Sequence, residues 1–110
     1  MQGKCKMLKI NISEDSKYKK HNLYHEIVHR LKEFGIAGVT VMRGIEGYGT
    51  AKVLHSSRIL EISQSLPIII EAVDEVEKID NVIPVIEELV NEGLILVTDV
   101  NVIKHGKEKL

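Results

Sequence analysis

The stretch LPIIIEAVDEVEKIDNVIPVIEELVNEGLILVTDVNV, residues 66–102, decides the fold of this chain. It opens at residues 66–73 with a short apolar, largely β-branched run that carries a proline near its start, which is typical of a strand covered on both faces. Asp74 can cap a following helix, whose apolar residues recur at helical spacing until Gly93 ends it. Residues 94–104 are again apolar and then alternating, as in a strand. The stretch therefore predicts strand, helix and strand.

Pro84 interrupts the helical pattern of this stretch. Either the helix bends at the proline, or a first turn ends near Asn81 and a new helix begins near Val82, where an early proline is tolerated. The sequence leaves both alternatives open.

The preceding part of the chain repeats the same pattern. Residues 6–13 alternate between polar and apolar, which predicts a strand with one buried face. Apolar residues at helical spacing then predict a helix that stops at Gly35, and residues 39–42 favour a second strand. Three polar residues are candidates to cap the helix: Ser13, Asp15 and Ser16.

The order of elements is strand, helix, strand, long loop at about residues 45–65, strand, helix, strand. This order is the ferredoxin-like α+β arrangement βαββαβ, in which two helices cover one face of a four-stranded antiparallel sheet. Residues 1–110 are predicted to form a single domain. The other sheet face would expose many apolar residues, so we expect self-association to cover it.

Composition excludes several classes of function. The chain has 110 residues, 28% of them charged, with a formal net charge of -1, which fits a folded protein and disfavours a basic nucleic-acid binder. Aromatic residues make up only 4%, too few for a base-stacking platform. No apolar run reaches the roughly 20 residues needed to cross a bilayer. Neither a signal peptide nor a membrane insertion is expected, and a cytoplasmic location is predicted.

The long connection at residues 45–65 has features of a ligand site. Arg43 and Lys52 would supply positive charge to an anion. Glycine permits positive φ and exposes amide donors, so the glycines at the start of this region could form a backbone cradle. The alternative is that they only shape a bulge and a turn, with both cations solvated. These glycines are Gly44, Gly47 and Gly49.

Three further side chains in the loop are candidates. Tyr48 could stack on a base or donate its hydroxyl to a ligand, or pack between subunits. His55 and Arg58 could close over an anion, contact a partner, or remain solvated.

Catalytic and metal chemistry have weaker support. His21, His25 and His29 recur every four residues, but they fall away from the apolar stripe, toward solvent, and lack obvious further ligands. Glu71 and Asp74 could form an acid–base pair only in environments that separate their pKa values. The single cysteine, Cys5, cannot form an intrachain disulfide and has no activating motif. No catalytic residue and no metal site are predicted, and the chain is not expected to be an enzyme.

Three blocks of the sequence resemble a known family. They are RGIEGYG at residues 43–49, SLPIIIEAVD at 65–74 and GLILVTDVNV at 93–102. In this order, across residues 6–104, they resemble the PII-like family of bacteria and archaea, a group within the GlnB-like superfamily often found beside ion-transport genes.

The resemblance implies a ferredoxin-like homotrimer whose sheets face inward, with ligand sites in the clefts between subunits and signalling in place of turnover. It also implies that the 45–65 loop reports ligand state to a partner such as a transporter or an enzyme. The chain departs from true PII proteins after the second helix. Only Asn91, Glu92 and Gly93 stand where those proteins carry a glycine-rich, basic phosphate-binding loop.

The leading hypothesis is therefore a regulatory protein that binds a small anionic ligand, with an adenine nucleotide favoured, and that needs no cofactor. One alternative is a protein-interaction module that acts without a ligand, and a second is a metal-responsive protein. The predicted ligand-binding residues are Arg43, Gly44, Gly47, Tyr48, Gly49 and Lys52, and the predicted partner residues are His55 and Arg58.

Overall fold

A computed structural model describes residues 1–49, 55–56 and 65–107 of the chain. Its main elements are β1 (Gly3–Ser13), α1 (Leu23–Glu33), β2 (Val39–Arg43), β3 (Pro67–Glu75), α2 (Val76–Leu89) and β4 (Leu94–Val102). Two minor ladders pair Lys17–Tyr18 with His21–Asn22 and Glu46–Gly47 with His55–Ser56.

The four main strands form one sheet in the order β2-β3-β1-β4, and every neighbouring pair is antiparallel. Leu8 of β1 lies opposite Ala72 of β3 and Val97 of β4, and this register extends along β1. The arrangement confirms the predicted βαββαβ order and the two-helix, four-strand architecture.

The core lies between the two helices and one face of the sheet. Every second residue is buried there from Leu8 to Ile12 of β1 and from Ile68 to Asp74 of β3, in agreement with the alternation predicted for residues 6–13. Full burial of each such aliphatic side chain contributes about 1.5–3 kcal/mol. The largest fully buried aliphatic side chains are Leu8, Ile10, Ile27, Leu31, Ile70, Ile79, Val82 and Ile86.

The opposite face of the sheet carries no helix in the described chain. The residues of β3 that point to this face are mostly half-buried, so the expectation that β3 is covered on both faces is wrong for the single chain. The β-branched run still forms a strand because its inner positions, such as Ile68 and Ile70, fill the core.

Helix α1 begins later than predicted. Its N-cap is Asn22, whose side chain makes no capping hydrogen bond, and the minor ladder at residues 17–22 precedes it. The end of α1 is as predicted: Gly35 has φ +78°, and Gly35 and Ile36 donate their N–H groups to the carbonyls of Lys32 and Leu31. These two bonds form the glycine-dependent end of a helix known as a Schellman motif.

The structure corrects the predicted cap of α2 and decides between the two alternatives for Pro84. Asp74 does not cap the helix; it is 2% exposed at the end of β3, and its carboxylate accepts hydrogen bonds from the N–H groups of Ala37 at 2.8 Å and Glu75 at 2.7 Å. The helix itself continues through Pro84.

Among the described residues, no helix has the length and apolar character required to span a membrane.

Candidate functional site

The candidate site lies where β1 and β2 finish and β3 begins, which we call the loop end of the sheet. The strand register places Arg43 opposite Ile68 and Ser13 opposite Pro67. Because neighbouring strands are antiparallel, the start and the return of the 45–65 loop meet at this end.

A glycine turn packs closely on Pro67 at the loop end of the sheet. The N–H of Gly44 donates to the carbonyl oxygen of Pro67 at 2.7 Å. A Cβ atom at Gly44 would lie 2.7 Å from the Cγ of Pro67, and one at Gly47 would lie 3.3 Å from it. Close approach of the two segments therefore explains both glycines.

None of these three glycines adopts the positive φ that glycine permits. The described glycines with positive φ lie elsewhere in the chain, and Gly44, Gly47 and Gly49 are not among them. At Gly49, an added Cβ would meet no atom within 4 Å. The three glycines therefore do not act alike: two permit contact with Pro67, and the third has open space.

Arg43 forms an ion pair with Glu14, the residue that follows β1. The side chain of Arg43 is 59% exposed and that of Glu14 is 28% exposed. A guanidinium has five N–H donors, so a single carboxylate uses only part of its capacity. Arg43 is therefore a solvent-accessible cation at the start of the loop.

A hydrogen-bonded cluster anchors the loop where it returns. The Oγ of the buried Ser65 accepts from the N–H of Asp15 at 3.1 Å and lies 2.6 Å from the Oγ of Ser13. The Ser13 hydroxyl donates to a carboxylate oxygen of Asp15 at 2.7 Å, so the Ser65 hydroxyl is left to donate to Ser13. The N–H of Glu14 also donates to the carbonyl of Leu66 at 2.8 Å.

Sequence reasoning missed this cluster and assigned Ser13 and Asp15 to a helix cap. Their partner Ser65 is about fifty positions away along the chain, so no local pattern reports the contact. A serine before a buried strand and a polar group after another strand are the only signals, and both are common in loops.

The remaining predicted site residues divide into exposed and undescribed ones. Tyr48 is 69% exposed and its neighbour Ile45 is 76% exposed, so both point away from the core. The backbone of His55 pairs with Gly47, which brings the two sides of the loop base together. Lys52 and Arg58 lie outside the described residues.

The alternative chemistries gain no support from the described residues. His21, His25 and His29 are exposed, as predicted, and the described part of the chain contains no group of three or more His, Cys, Asp or Glu placed to hold a metal ion. Glu71 lies 3.7 Å from the Nζ of Lys9, across the open face of the sheet. Cys5 is a buried free thiol, in agreement with an ordinary structural role.

Two shallow concavities lie away from Arg43. One, of about 200 Å³, is on the open face near Met7, Thr40 and Glu71. The other, of about 170 Å³, is lined by Tyr18, Arg30 and Glu88, among others. A hydrogen bond from the Arg30 guanidinium to Glu26 raises the pKa of Arg30 above its usual value. Neither concavity includes the loop end of the sheet.

The chain matches one family profile and several curated sequences. The profile of the DUF190 family, described as an uncharacterised ACR, matches residues 5–102. A UPF0166 protein of Methanocaldococcus jannaschii is 43% identical over 102 residues, which cover 92% of this chain and 94% of that one. A UPF0166 protein of Aquifex aeolicus is 39% identical over 100 residues, covering 91% and 94%.

Solved structures of one protein are similar in fold. CPII, a nitrogen regulatory PII-like protein from Thiomonas intermedia K12, solved with ADP, AMP and bicarbonate, superposes with a TM-score of 0.69 at 18% identity, covering 94% of this chain and 92% of that chain. CPII bound to ADP and bicarbonate gives a TM-score of 0.63 at 18% identity, covering 94% and 93%. This chain therefore has the PII-like, ferredoxin-type fold.

Proposed function

The chain belongs to the DUF190 family, and we propose that it is a regulatory protein that binds a small anionic ligand at the loop end of its sheet. An adenine nucleotide is the favoured ligand. The 45–65 loop reports occupancy to a protein partner by a shift between conformational populations. The protein acts as a sensor and catalyses no reaction.

The observation that carries this proposal is the position of Arg43. Its guanidinium is 59% exposed at the exact base of the long loop, so an anion that binds it also touches the segment that would transmit the signal. Charge-assisted hydrogen bonds from arginine to phosphate are strong and directional. Lys52 would add a second cation from within the loop.

The chemistry of an adenine nucleotide suits the neighbouring residues. Its phosphates match Arg43 and Lys52, and its base offers a flat surface for the exposed ring of Tyr48. The contacts of Gly44 and Gly47 with Pro67 hold the turn that carries these side chains. The similarity in fold to CPII, which was solved with ADP, AMP and bicarbonate, supports the same ligand class.

The complete site requires more than one copy of the chain. The open face of the sheet carries apolar side chains such as Met42, which is 37% exposed, and Leu94, which is 51% exposed. Contiguous exposed apolar residues favour association. We propose that this face forms the contacts between the subunits of a homotrimer. The ligand would then lie at a boundary between two subunits, with Arg43 on one side of it.

A second candidate function is a protein-interaction module that works without a ligand. It is favoured by one observation, the exposure of both Ile45 and Tyr48 near the start of the loop. Exposed large apolar and aromatic side chains are frequent anchors at protein interfaces. In that case, capture of a protein partner would depend on these two residues and would not change with added nucleotide.

The proposed function is tested by thermal unfolding with ATP, ADP, AMP, bicarbonate and divalent metal salts, with the mass of the protein measured in solution. A ligand that binds only the folded state raises the midpoint. A concentration-dependent rise with an adenine nucleotide on a trimer supports the sensor. An unchanged midpoint with all of these compounds contradicts it and favours the interaction module.

A further inference from the structure

The ion pair between Arg43 and Glu14 joins the two ends of the 45–65 loop. Arg43 ends β2, immediately before the loop. Glu14 is tied to the other end, because its N–H donates to the carbonyl of Leu66 at 2.8 Å. The side chain of Glu14 therefore spans from the anchored return of the loop to the cation at its start.

The Glu14 carboxylate pairs with the Arg43 guanidinium, which is the group that we assign to the ligand. The part of the guanidinium that faces Glu14 cannot bind a ligand anion at the same time. An incoming anion must share Arg43 with this carboxylate or displace it.

We propose that Glu14 is a built-in competitor for Arg43, so that an anion must bind Arg43 better than a carboxylate does, as a phosphate can, and opens the bridge between the loop ends when it fills the site. This inference rests on the proposed function. When a monoanion such as bicarbonate displaces the Glu14 carboxylate, one single negative charge replaces another at Arg43, so little binding free energy is gained. A phosphate group carries about -1.5 to -2 charges and three acceptor oxygens, so its exchange is favourable.

The consequence for the loop follows from the contacts that remain. When Arg43 turns to the ligand, the Ser65 cluster and the bond from Glu14 to Leu66 still hold the return of the loop on β1. The start of the loop loses its side-chain link to that anchor. The ligand then replaces Glu14 as the group that positions the start of the loop.

The energetics permit this exchange. Ion pairs between partly exposed side chains contribute about 0–1 kcal/mol, which corresponds to at most about a fivefold change in an equilibrium constant. A competitor of this strength weakens ligand binding measurably without abolishing it.

The test is calorimetric titration of ADP and, separately, of bicarbonate into wild type, Glu14→Gln, Glu46→Gln and Arg43→Ala. Glu14→Gln keeps the backbone bond to Leu66 and removes the competing charge, so we expect ADP to bind about two- to fivefold more tightly. The same gain is expected for bicarbonate, because a carboxylate that must first leave Arg43 lowers the apparent affinity of every anion by the same factor. Glu46→Gln is the control, because it removes an equal charge three positions from Arg43. Glu46 forms no ion pair within the described chain, so this variant should bind both ligands with unchanged affinity.

Two outcomes separate the inference from the proposed function. In the first outcome, the wild type binds ADP, Arg43→Ala does not, and Glu14→Gln binds ADP no more tightly than Glu46→Gln. This result disproves the competition but supports the site. If no variant binds ADP, both the site and the competition are disproved. A circular dichroism melt of each variant confirms that it is folded.

Discussion

Gly44 and Pro67 are in direct contact: the N–H of Gly44 donates to the carbonyl of Pro67 at 2.7 Å, and an added Cβ would lie 2.7 Å from the proline Cγ. Replacing Gly44 by alanine therefore forces the loop base away from β3. We expect Gly44→Ala to lower the free energy of unfolding by about 1–3 kcal/mol, as overpacking does in general. Chemical denaturation measures this loss.

Gly49→Ala is the matched control for that substitution. An added Cβ there meets no atom within 4 Å, and the residue does not have positive φ. We expect it to be neutral or slightly stabilising, because alanine restricts the unfolded chain. Equal losses for the two variants would show that the contact with Pro67 is not the cause.

Ser65 is expected to be the main anchor of the loop return. Ser65→Ala leaves the N–H of Asp15 without its acceptor and Ser13 without its donor, which should cost about 1–3 kcal/mol of stability. The measurement is urea denaturation. Ser16→Ala provides the comparison, since the described structure gives that hydroxyl no hydrogen bond, and a loss there as large as at Ser65 would contradict the assignment.

Asp74 is expected to stabilise the connection between α1 and β2. Asp74→Ala removes the acceptor of two backbone N–H groups, those of Ala37 and Glu75, and should cost at least about 2 kcal/mol. Asp99→Ala, an exposed carboxylate on β4, should change stability by about 0.5 kcal/mol or less. Thermal melts of the two variants at neutral pH make the comparison, and a small effect at Asp74 would refute the role.

Substitutions at two adjacent residues of β4 test whether the open face of the sheet forms the contacts between subunits. Leu96 lies opposite Lys9 on the open face, whereas Val97 lies opposite Leu8 on the helix-bearing face, where it is 37% exposed. We expect Leu96→Asp to reduce the mass in solution from a trimer to a monomer, since it buries a charge in the subunit boundary. Val97→Asp should leave the mass unchanged. Light scattering after gel filtration gives both masses, and a trimer of Leu96→Asp would contradict the assignment of the open face.

The sequence predicts the fold because its signals are local. The alternation around Lys9 and Ile10 predicts a half-buried strand, and Gly35 marks the end of α1 through its positive φ. Both signals act within a few residues. The family resemblance carried by residues 43–49, 65–74 and 93–102 is confirmed by the DUF190 match over residues 5–102, and the PII-like fold is confirmed by the similarity to CPII.

The candidate site is predicted less completely because its contacts are long-range. The sequence identifies Arg43 as a cation near glycines, but its partner Glu14 lies in another connection between elements, and no periodicity links the two residues. The same is true of Ser13 and Ser65. Polar residues at the end of a strand suit either a helix cap or a loop anchor, and only the tertiary fold decides between them.

The central claim is that Arg43 binds an anionic ligand, and calorimetric titration of ADP into wild type, Arg43→Ala and Lys4→Ala tests it most directly. Lys4 is an exposed cation at the opposite end of β1, so its removal changes the net charge equally without touching the loop end of the sheet. We expect wild type and Lys4→Ala to bind ADP alike and Arg43→Ala to bind at least about tenfold more weakly, in keeping with loss of a charge-assisted hydrogen bond of about 1.5–3 kcal/mol. Equal binding by all three proteins, or no binding by the wild type, would contradict the claim.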